Sequence, residues 1–451
     1  MTEKELAFFK GKRILVTGHT GFKGSWLVRI LLYAGASVIG YSLAPEEESL
    51  FRLSIDSGMT ERDGSIPGEK VYKDEESGGM LYSVIGDIRD FERLCSVFRK
   101  YAPELVIHMA AQPIVRTSYE KPRYTYETNV MGTVNICEAV RLFPSVKSFL
   151  NVTTDKVYKN EEQGEAFRED APLDGYDPYS NSKSCSELVT HSYVNSYFRG
   201  MGIPTSTARA GNVIGGGDFA RDRIIPDCVR TALGYENMVQ GKTTTIAETD
   251  KADKNEELCK LNTGAVNDKL CKLNAGMAGD GPVIRVRNPY SIRPFQHVLE
   301  PLFMYLTILR AQYLDPGLAG AYNIGPEDVD CVTTGDLVTR FCKAWNEAKS
   351  EDETSLSWED VGNAGPHESS FLKLDCRLAR STFGWKPVWN IDRALLETVN
   401  WTRAYMGSGI GESAGEKKMD GQEMDGQKMI RREMNREIGM FLRSSMNELC
   451  E

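Results

Sequence analysis

The stretch Arg13-Ile14-Leu15-Val16-Thr17-Gly18-His19-Thr20-Gly21-Phe22-Lys23-Gly24 decides how this chain folds. Its first five residues form an apolar run that reads as a buried strand, and its glycines then fall three apart. The run that follows, Ser25-Trp26-Leu27-Val28-Arg29-Ile30-Leu31-Leu32, reads as a helix. A strand, a glycine turn and a helix start bring backbone N–H groups and the positive helix end toward one point, which is how a fold grips a dinucleotide pyrophosphate. The spacing is not the G-x-G-x-x-G of ordinary dehydrogenases, and a plain tight turn is the competing reading. The strand–helix context near the N-terminus favours the dinucleotide.

Outward from this unit, residues 37–42 read as a second strand, 81–87 as a third and 105–110 as a fourth. A long helix is expected over 119–142, with a fifth strand at 149–154 and a sixth at 205–210. Strands alternating with helices predict an α/β fold: a Rossmann-type, doubly wound parallel sheet covered on both faces, its ligands beyond the carboxyl ends of the strands. Residues 58–80 are polar and glycine-rich and read as a surface insertion. Residues 236–282 carry an internal repeat, Leu258-Cys259-Lys260-Leu261-Asn262 returning as Leu270-Cys271-Lys272-Leu273-Asn274, too few copies for a solenoid. Beyond residue 406, Met419-Asp420-Gly421-Gln422 returns as Met424-Asp425-Gly426-Gln427, and the segment reads as a solvated, charged, partly helical tail with a role in subunit contact as the alternative.

A chain of 451 residues can bury a large core and is expected to hold two domains. Its formal net charge of −10 argues against non-specific nucleic-acid binding, so an anionic ligand needs a local cluster of cations. No apolar run reaches the ~20 residues that span a bilayer, and the N-terminus lacks a signal-peptide layout. A cytoplasmic protein with no membrane partner is expected. The ten cysteines lack a C-x-x-C pair, and His19, His108, His191, His297 and His367 are dispersed. The thiols are expected to be reduced and no metal is expected.

Tyr179 and Lys183 stand four apart at the start of a helix, on one face. A phenol has a pKa near ~10 and is a poor base; an adjacent ammonium and a positive nicotinamide ring favour the phenolate. Roughly 25 residues earlier the fifth strand ends in Thr153-Thr154-Asp155-Lys156, where polar groups face the ligand crevice. Thr154 can bond the hydroxyl that Tyr179 deprotonates, Asp155 can be a general acid, and Lys156 can polarise neighbouring oxygens or move a proton. Chance spacing on an amphipathic helix and a surface ion pair are the bland readings. The order of threonine, tyrosine and lysine behind a glycine loop weighs against both.

With these motifs together, the chain resembles the extended short-chain dehydrogenase/reductases that act on nucleotide sugars. Thr154-Asp155 resembles the 4,6-dehydratases, most of which carry Glu where this chain has Lys156. That departure resembles the CDP-glucose 4,6-dehydratase branch. Gly18 to Trp26, Ala208 to Asp218, Asp222 to Asp227, Arg287-Asn288-Pro289 and Arg293 to Leu302 are similar to it as well. The resemblance covers about residues 10–235 and 283–402.

It implies an NAD-binding Rossmann domain over 10–210, to which part of 283–310 returns. A smaller C-terminal substrate-binding region over 211–405 is interrupted at 236–282, and 406–451 is left as the tail. By position, Gly18, Gly21, Phe22 and Gly24 hold the pyrophosphate, Asp87 and Ile88 border adenine, Ala110, Ala111 and Gln112 lie near the nicotinamide ribose, and Asn129 is structural as much as catalytic. Strand two ends at Tyr41-Ser42 without the acid that bonds the ribose 2′-OH, so residues alone do not separate NAD from NADP; the resemblance implies NAD, and the missing acid predicts weaker retention than in relatives that have it. His19 reads as a turn residue that could add a donor to the pyrophosphate. Arg209, Arg221, Arg223, Arg285, Arg287 and Arg293 cluster in the segments that resemble the nucleotide-sugar pocket, where guanidinium suits a diphosphate. Asn212, Arg287, Arg293 and His297 are the expected substrate contacts, with a core role as the alternative for His297.

The implied reaction is dehydration of CDP-glucose to a 4-keto-6-deoxy sugar, as in deoxysugar and O-antigen synthesis. Tyr179, Lys183 and Thr154 serve C4, and Asp155, with or without Lys156, serves the departing 6-hydroxyl. A 4-epimerase on the same scaffold and a non-catalytic dinucleotide sensor are the competing readings. A homodimer through helices near 119–142 and 179–199, or a higher homo-oligomer, is implied by the family.

Overall fold

The computed structural model describes residues 1–61, 66–161, 165–234, 281–351, 353–362, 372–409 and 420–447. Eight strands lie in its first half: β1 (Arg13–Thr17), β2 (Ser37–Ser42), β3 (Thr60–Glu61), β4 (Glu69–Lys73), β5 (Met80–Ile85), β6 (Leu105–His108), β7 (Ser148–Val152) and β8 (Thr205–Ala210). They are followed by β9 (Val213–Ile214), β10 (Val283–Val286), β11 (Ile292–Pro294), β12 (Gln296–His297), β13 (Ala321–Ile324), β14 (Cys331–Thr333) and β15 (Ser357–Asp360). A nine-stranded sheet runs β13-β8-β7-β6-β1-β2-β5-β4-β3. From β13 to β5 every neighbour pairs parallel, so the expected doubly wound sheet is what forms. The strand order reverses between β1 and β6, which opens a crevice at their carboxyl ends.

Both sheet faces are covered, and β1 shows why its run is apolar throughout. Ile14 and Val16 enter one core with Trp26, Leu27 and Leu31 of α1 (Phe22–Tyr33). Leu15 enters the other, with Leu94 and Phe98 of α2 (Phe91–Tyr101) and Ile136 and Val140 of α3 (Gly132–Leu142). A strand buried on both sides alternates its faces without alternating its polarity. Residues 60–61 and 69–73, inside the expected surface insertion, extend the sheet as antiparallel edge strands on β5. The helix expected over 119–142 is broken into two short helices, a π-helical turn over Glu127–Met131, and α3.

After α4 (Pro178–Tyr193) and β8, a smaller lobe gathers α5 (Ile224–Ala232), α7 (Thr334–Glu347) and α8 (Ile391–Gly407) around Ile225, Phe295, Leu337, Phe341 and Leu395. Three two-stranded pairs, β9 with β12, β10 with β15 and β11 with β14, frame it. Between β12 and β13, α6 (Leu299–Leu314) packs its Leu302, Phe303 and Leu306 into the first sheet core.

The expected solvated tail is corrected. Residues Asp420–Asn447 form α9, whose Ile430, Met434, Ile438, Phe441 and Leu442 lie in the same core as Trp26 and Phe303. Apolar residues four and three apart make one helical stripe, and burying it outweighs the polar composition of the segment. Most of the 236–282 insertion, with its repeat, lies outside the described residues. Among the described residues no helix is long and apolar enough to cross a membrane, and the described cysteines are free thiols.

Candidate active site

The glycine turn is built by close approach. Gly18 has φ +75°, and a Cβ there would sit 3.0 Å from the Ala110 nitrogen at the end of β6. A Cβ on Gly24 would fall 2.1 Å from the Gly18 carbonyl. Gly21 is the N-cap of α1 and offers no side-chain cap, so the first N–H groups of the helix stay available to a ligand. This cradle fits a dinucleotide pyrophosphate. Phe22 begins the helix beside it.

At the end of β6, the Gln112 N–H donates to Asn129 Oδ1 (2.8 Å), while Asn129 Nδ2 donates to the Gln112 carbonyl (3.1 Å) and to Ser182 Oγ (2.9 Å). Asn129 stands in the π-helical turn and ties the strand to α4. It is a structural clasp. The Gln112 side chain is spent on Thr125 and the Ile114 N–H, leaving Ala110 and Ala111 as the open edge. Asp87 is chelated by Arg89 (2.7 Å), which holds its carboxyl below the usual range, and Ile88 is buried against Gly132.

His19 turns away from the pyrophosphate cradle. Its Nε2 lies 2.7 Å from Ser83 Oγ, its ring meets Phe51 edge-on, and it fills the space that a Cβ on Gly40 would need. Burial pushes it down to about 3, so it is a neutral core residue. Strand two ends without an acid: Ser42 is paired with Thr20 at 2.7 Å.

Thr154, Asp155 and Lys156 follow β7, where the sheet delivers them to the crevice. Asp155 is 1% exposed; its Oδ1 accepts from Thr154 Oγ1 (2.9 Å), and its Oδ2 is buried without a partner. Burial raises its carboxyl, against the opposing pull of Lys156, Thr154, Arg293 and Lys23. Asp177 caps α4 through the Ser180 N–H (3.0 Å), which places Tyr179 in the first turn and Lys183 one turn on. Tyr179 stands beside Thr154, and burial, aided by the nearby Asp155, pushes its phenol up to about 12. Lys183 donates to the Val152 carbonyl (3.1 Å); burial and the neighbouring Lys23 lower it to about 8.

Thr154, Asp155, Lys156 and Tyr179 open on a cavity of about 350 Å³ that also meets Asn212, Arg223, Arg287 and Arg293, while Lys183 lies outside its lining. Arg293 is buried at 6% exposure and lies near Asp155. Arg285 reaches the same cavity but is exposed and paired with Glu359.

Three expectations are corrected. His297 is not at the cavity: it is fully buried, with Trp389 at 4.8 Å and Trp26 at 6.3 Å between ring centres, and its Nε2 faces Glu437 on α9. Arg209 forms a buried ion pair with Glu187 (3.0 Å) and bonds the Tyr158 hydroxyl, so it braces β8. Arg221 is exposed and outside the cavity lining.

Sequence reasoning passed over two cations. Lys23, in the glycine loop, turns its ammonium into the cavity beside Asp155, Asp218 and Arg223, and burial lowers it to about 8. A lysine between two glycines of an anion-binding turn was the available signal. Arg116, after β6, pairs with Asp222 (2.9 Å) at the cavity edge, and Arg287 approaches the same carboxylate at 3.8 Å. Asp222 has φ +60°, an uncommon backbone state for a residue other than glycine.

The chain matches the GDP-mannose 4,6 dehydratase family model over residues 15–248. It is 39% identical to the CDP-glucose 4,6-dehydratase of Salmonella typhimurium over 406 residues, spanning 88% of this chain and 92% of that one. Among solved structures, the dTDP-glucose 4,6-dehydratase of Bacillus anthracis in complex with NAD superposes with a TM-score of 0.60 at 21% identity, covering 87% of this chain and 97% of that one. The UDP-glucose 4-epimerase of Thermotoga maritima with UDP-glucose gives 0.59 at 18% identity, over 87% and 99% of the two chains. The scaffold is therefore common to dehydratases and epimerases, and the site residues must separate them.

Proposed function

From the premise that this chain belongs to the nucleotide-sugar 4,6-dehydratase family of hydro-lyases, we propose that its substrate is CDP-glucose and its product a CDP-4-keto-6-deoxy sugar and water. The nucleotide follows the Salmonella relative. NAD held in the glycine cradle would supply a hydride acceptor for C4 and a hydride donor for C6. Tyr179 takes the proton of the 4-hydroxyl; the Lys183 ammonium favours its phenolate, and Thr154 orients the oxygen. The 4-keto group acidifies C5–H, and the Lys156 amine takes that proton and returns it to C5 when hydride reaches C6. Asp155 donates its proton to the departing 6-hydroxyl, which leaves as water. Asn212, Arg287 and Arg293 hold the nucleotide diphosphate side of the cavity.

The observation that carries the reading is Asp155: fully buried, raised by burial, with one oxygen unpartnered beside Tyr179. An acid kept protonated beside the hydride-transfer tyrosine serves elimination; a 4-epimerase has no use for it. The test is incubation with CDP-, UDP-, GDP- and dTDP-glucose, with and without added NAD. Loss of one water from CDP-glucose by mass is expected; an epimer of unchanged mass, or cofactor binding without turnover, overturns it.

The same reading makes the protein a cytoplasmic homodimer. Buried free thiols suit a reducing compartment. Tyr126, Met131, Leu188 and Tyr197, exposed on and beside α3 and α4, form the apolar face for a second copy.

A further inference from the structure

Outside the lining of the catalytic cavity, a cluster of ionisable groups lies between α8, α9 and β12. Glu437 on α9 is fully buried, and neither carboxylate oxygen has a hydrogen-bond partner. Around it stand Glu397 and Arg393 from α8, Glu433 and Arg436 from α9, and His297 from β12. Oxygens of Glu397, Glu433 and Glu437 lie within 4.8 Å of one another. A divalent cation would suit three carboxylates, but Arg436 already spans two of them, donating to Glu397 Oε2 and Glu433 Oε1 at 2.5 Å each. Arg393 meets the other Glu397 oxygen at 2.6 Å.

The charges then balance without Glu437. Two guanidiniums offset two carboxylates, and for a third buried negative charge desolvation and repulsion outweigh the pull of Arg436 and Arg393. His297 does not offset it. Its Nδ1 accepts the Leu299 N–H at 3.3 Å, which assigns the proton of a neutral ring to Nε2, and burial with Arg393 nearby keeps the ring neutral. That Nε2–H lies 3.5 Å from Glu437 Oε2. The same burial and the two neighbouring carboxylates raise Glu437 well above the ordinary range.

His297 leads from the cluster to the cavity. β12 pairs with β9, and the Gln296 N–H donates to the Asn212 carbonyl at 3.0 Å. Asn212 and Arg293, on either side of this junction, both line the cavity. We propose that Glu437 is a positioning residue held as a neutral carboxylic acid, with one oxygen facing the His297 Nε2–H and its hydroxyl facing the Glu397 and Glu433 carboxylates, so that α9 sets the substrate wall formed by Asn212 and Arg293. This rests on the dehydratase reading for its kinetic consequence and on the cluster alone for its protonation state.

The discriminating variants are Glu437→Gln and Glu437→Leu. Glutamine reproduces a neutral carboxyl, with a carbonyl for His297 and an N–H for the carboxylates; leucine reproduces neither. Glu437→Gln is expected to keep KM for the nucleotide sugar and kcat within about twofold of wild type, and Glu437→Leu to raise KM about tenfold with kcat changed much less. The pH dependence of melting gives a second readout. A carboxyl raised by the fold contributes stability that is complete below its unfolded value near ~4.3 and is lost as pH climbs through the raised value. Wild type should therefore lose melting temperature on the alkaline side relative to Glu437→Gln. A glutamine variant as impaired as leucine overturns the proposal, because the charge itself would then be needed. So does a leucine variant that melts lower but keeps its KM. If leucine does not fold, the glutamine comparison decides. If wild type turns over no nucleotide sugar, the dehydratase reading fails, while the melting comparison still judges the protonation state.

Discussion

The two walls of the catalytic cleft are built by different means. The inner wall hangs from regular elements: Thr154 and Asp155 leave the end of β7, Tyr179 and Lys183 share a turn of α4, and Lys183 is anchored on the Val152 carbonyl. The outer wall is carried by short strands and loops, with Arg223, Arg287 and Arg285 at 35%, 44% and 59% side-chain exposure. Proton transfer needs atoms fixed within a fraction of an ångström, which rigid strand and helix ends supply. Attraction for a diphosphate tolerates looser cations, since exposed ion pairs are individually weak. Buried Arg293 is the outer-wall residue built like the inner wall.

That contrast can be broken at its strongest point first. Tyr179→Phe should lower turnover by about 10³-fold with KM little changed, measured as keto-sugar formed by mass. Asp155→Asn should lower product formation by about 10²-fold while leaving oxidation at C4 possible, so the absorbance of reduced nicotinamide should build up on the enzyme; unimpaired turnover would remove Asp155 from the mechanism. The pH profile sharpens the picture. Tyr179 must be ionised, which favours high pH, while Asp155 must be protonated and Lys183, near 8, must be charged, which disfavour it, so kcat should pass through a maximum rather than climb with the ionisation of Tyr179. A kcat that climbs steadily with pH would remove Asp155 and Lys183 from these roles. On the outer wall, Arg293→Ala should raise KM about tenfold, whereas Arg285→Ala, exposed and paired with Glu359, should stay within about twofold. Equal effects from the two arginines would erase the distinction.

The inner wall was legible because its chemistry is local. The glycine turn, Thr154-Asp155-Lys156 and Tyr179 to Lys183 are each contiguous or one helical turn long, so spacing alone brings their groups together. The sheet was legible for the same reason, through apolar runs of strand length. The outer wall was read by residue type, and residue type does not fix direction. Arg209 and His297 sit in segments that border the cavity, yet Glu187 claims one and α9 the other. Both partners come from distant elements that no local pattern announces. Residues 420–447 were misread because a repeat and a polar composition drew attention from the stripe of Ile430, Met434, Ile438, Phe441 and Leu442, a period that was present all along. Lys23 was hidden by its own motif: the glycines around it explained the loop without asking where a long side chain would go.

One consequence follows from the order in which a ribosome makes this chain. Arg29 of α1 donates to Asn435 of α9 at 2.7 Å, across 406 residues. Until α9 emerges, the strip of α1 that α9 covers stays open, although β1 and α6 can already hold its other side. That open strip is where a chaperone or a protease would meet the nascent chain.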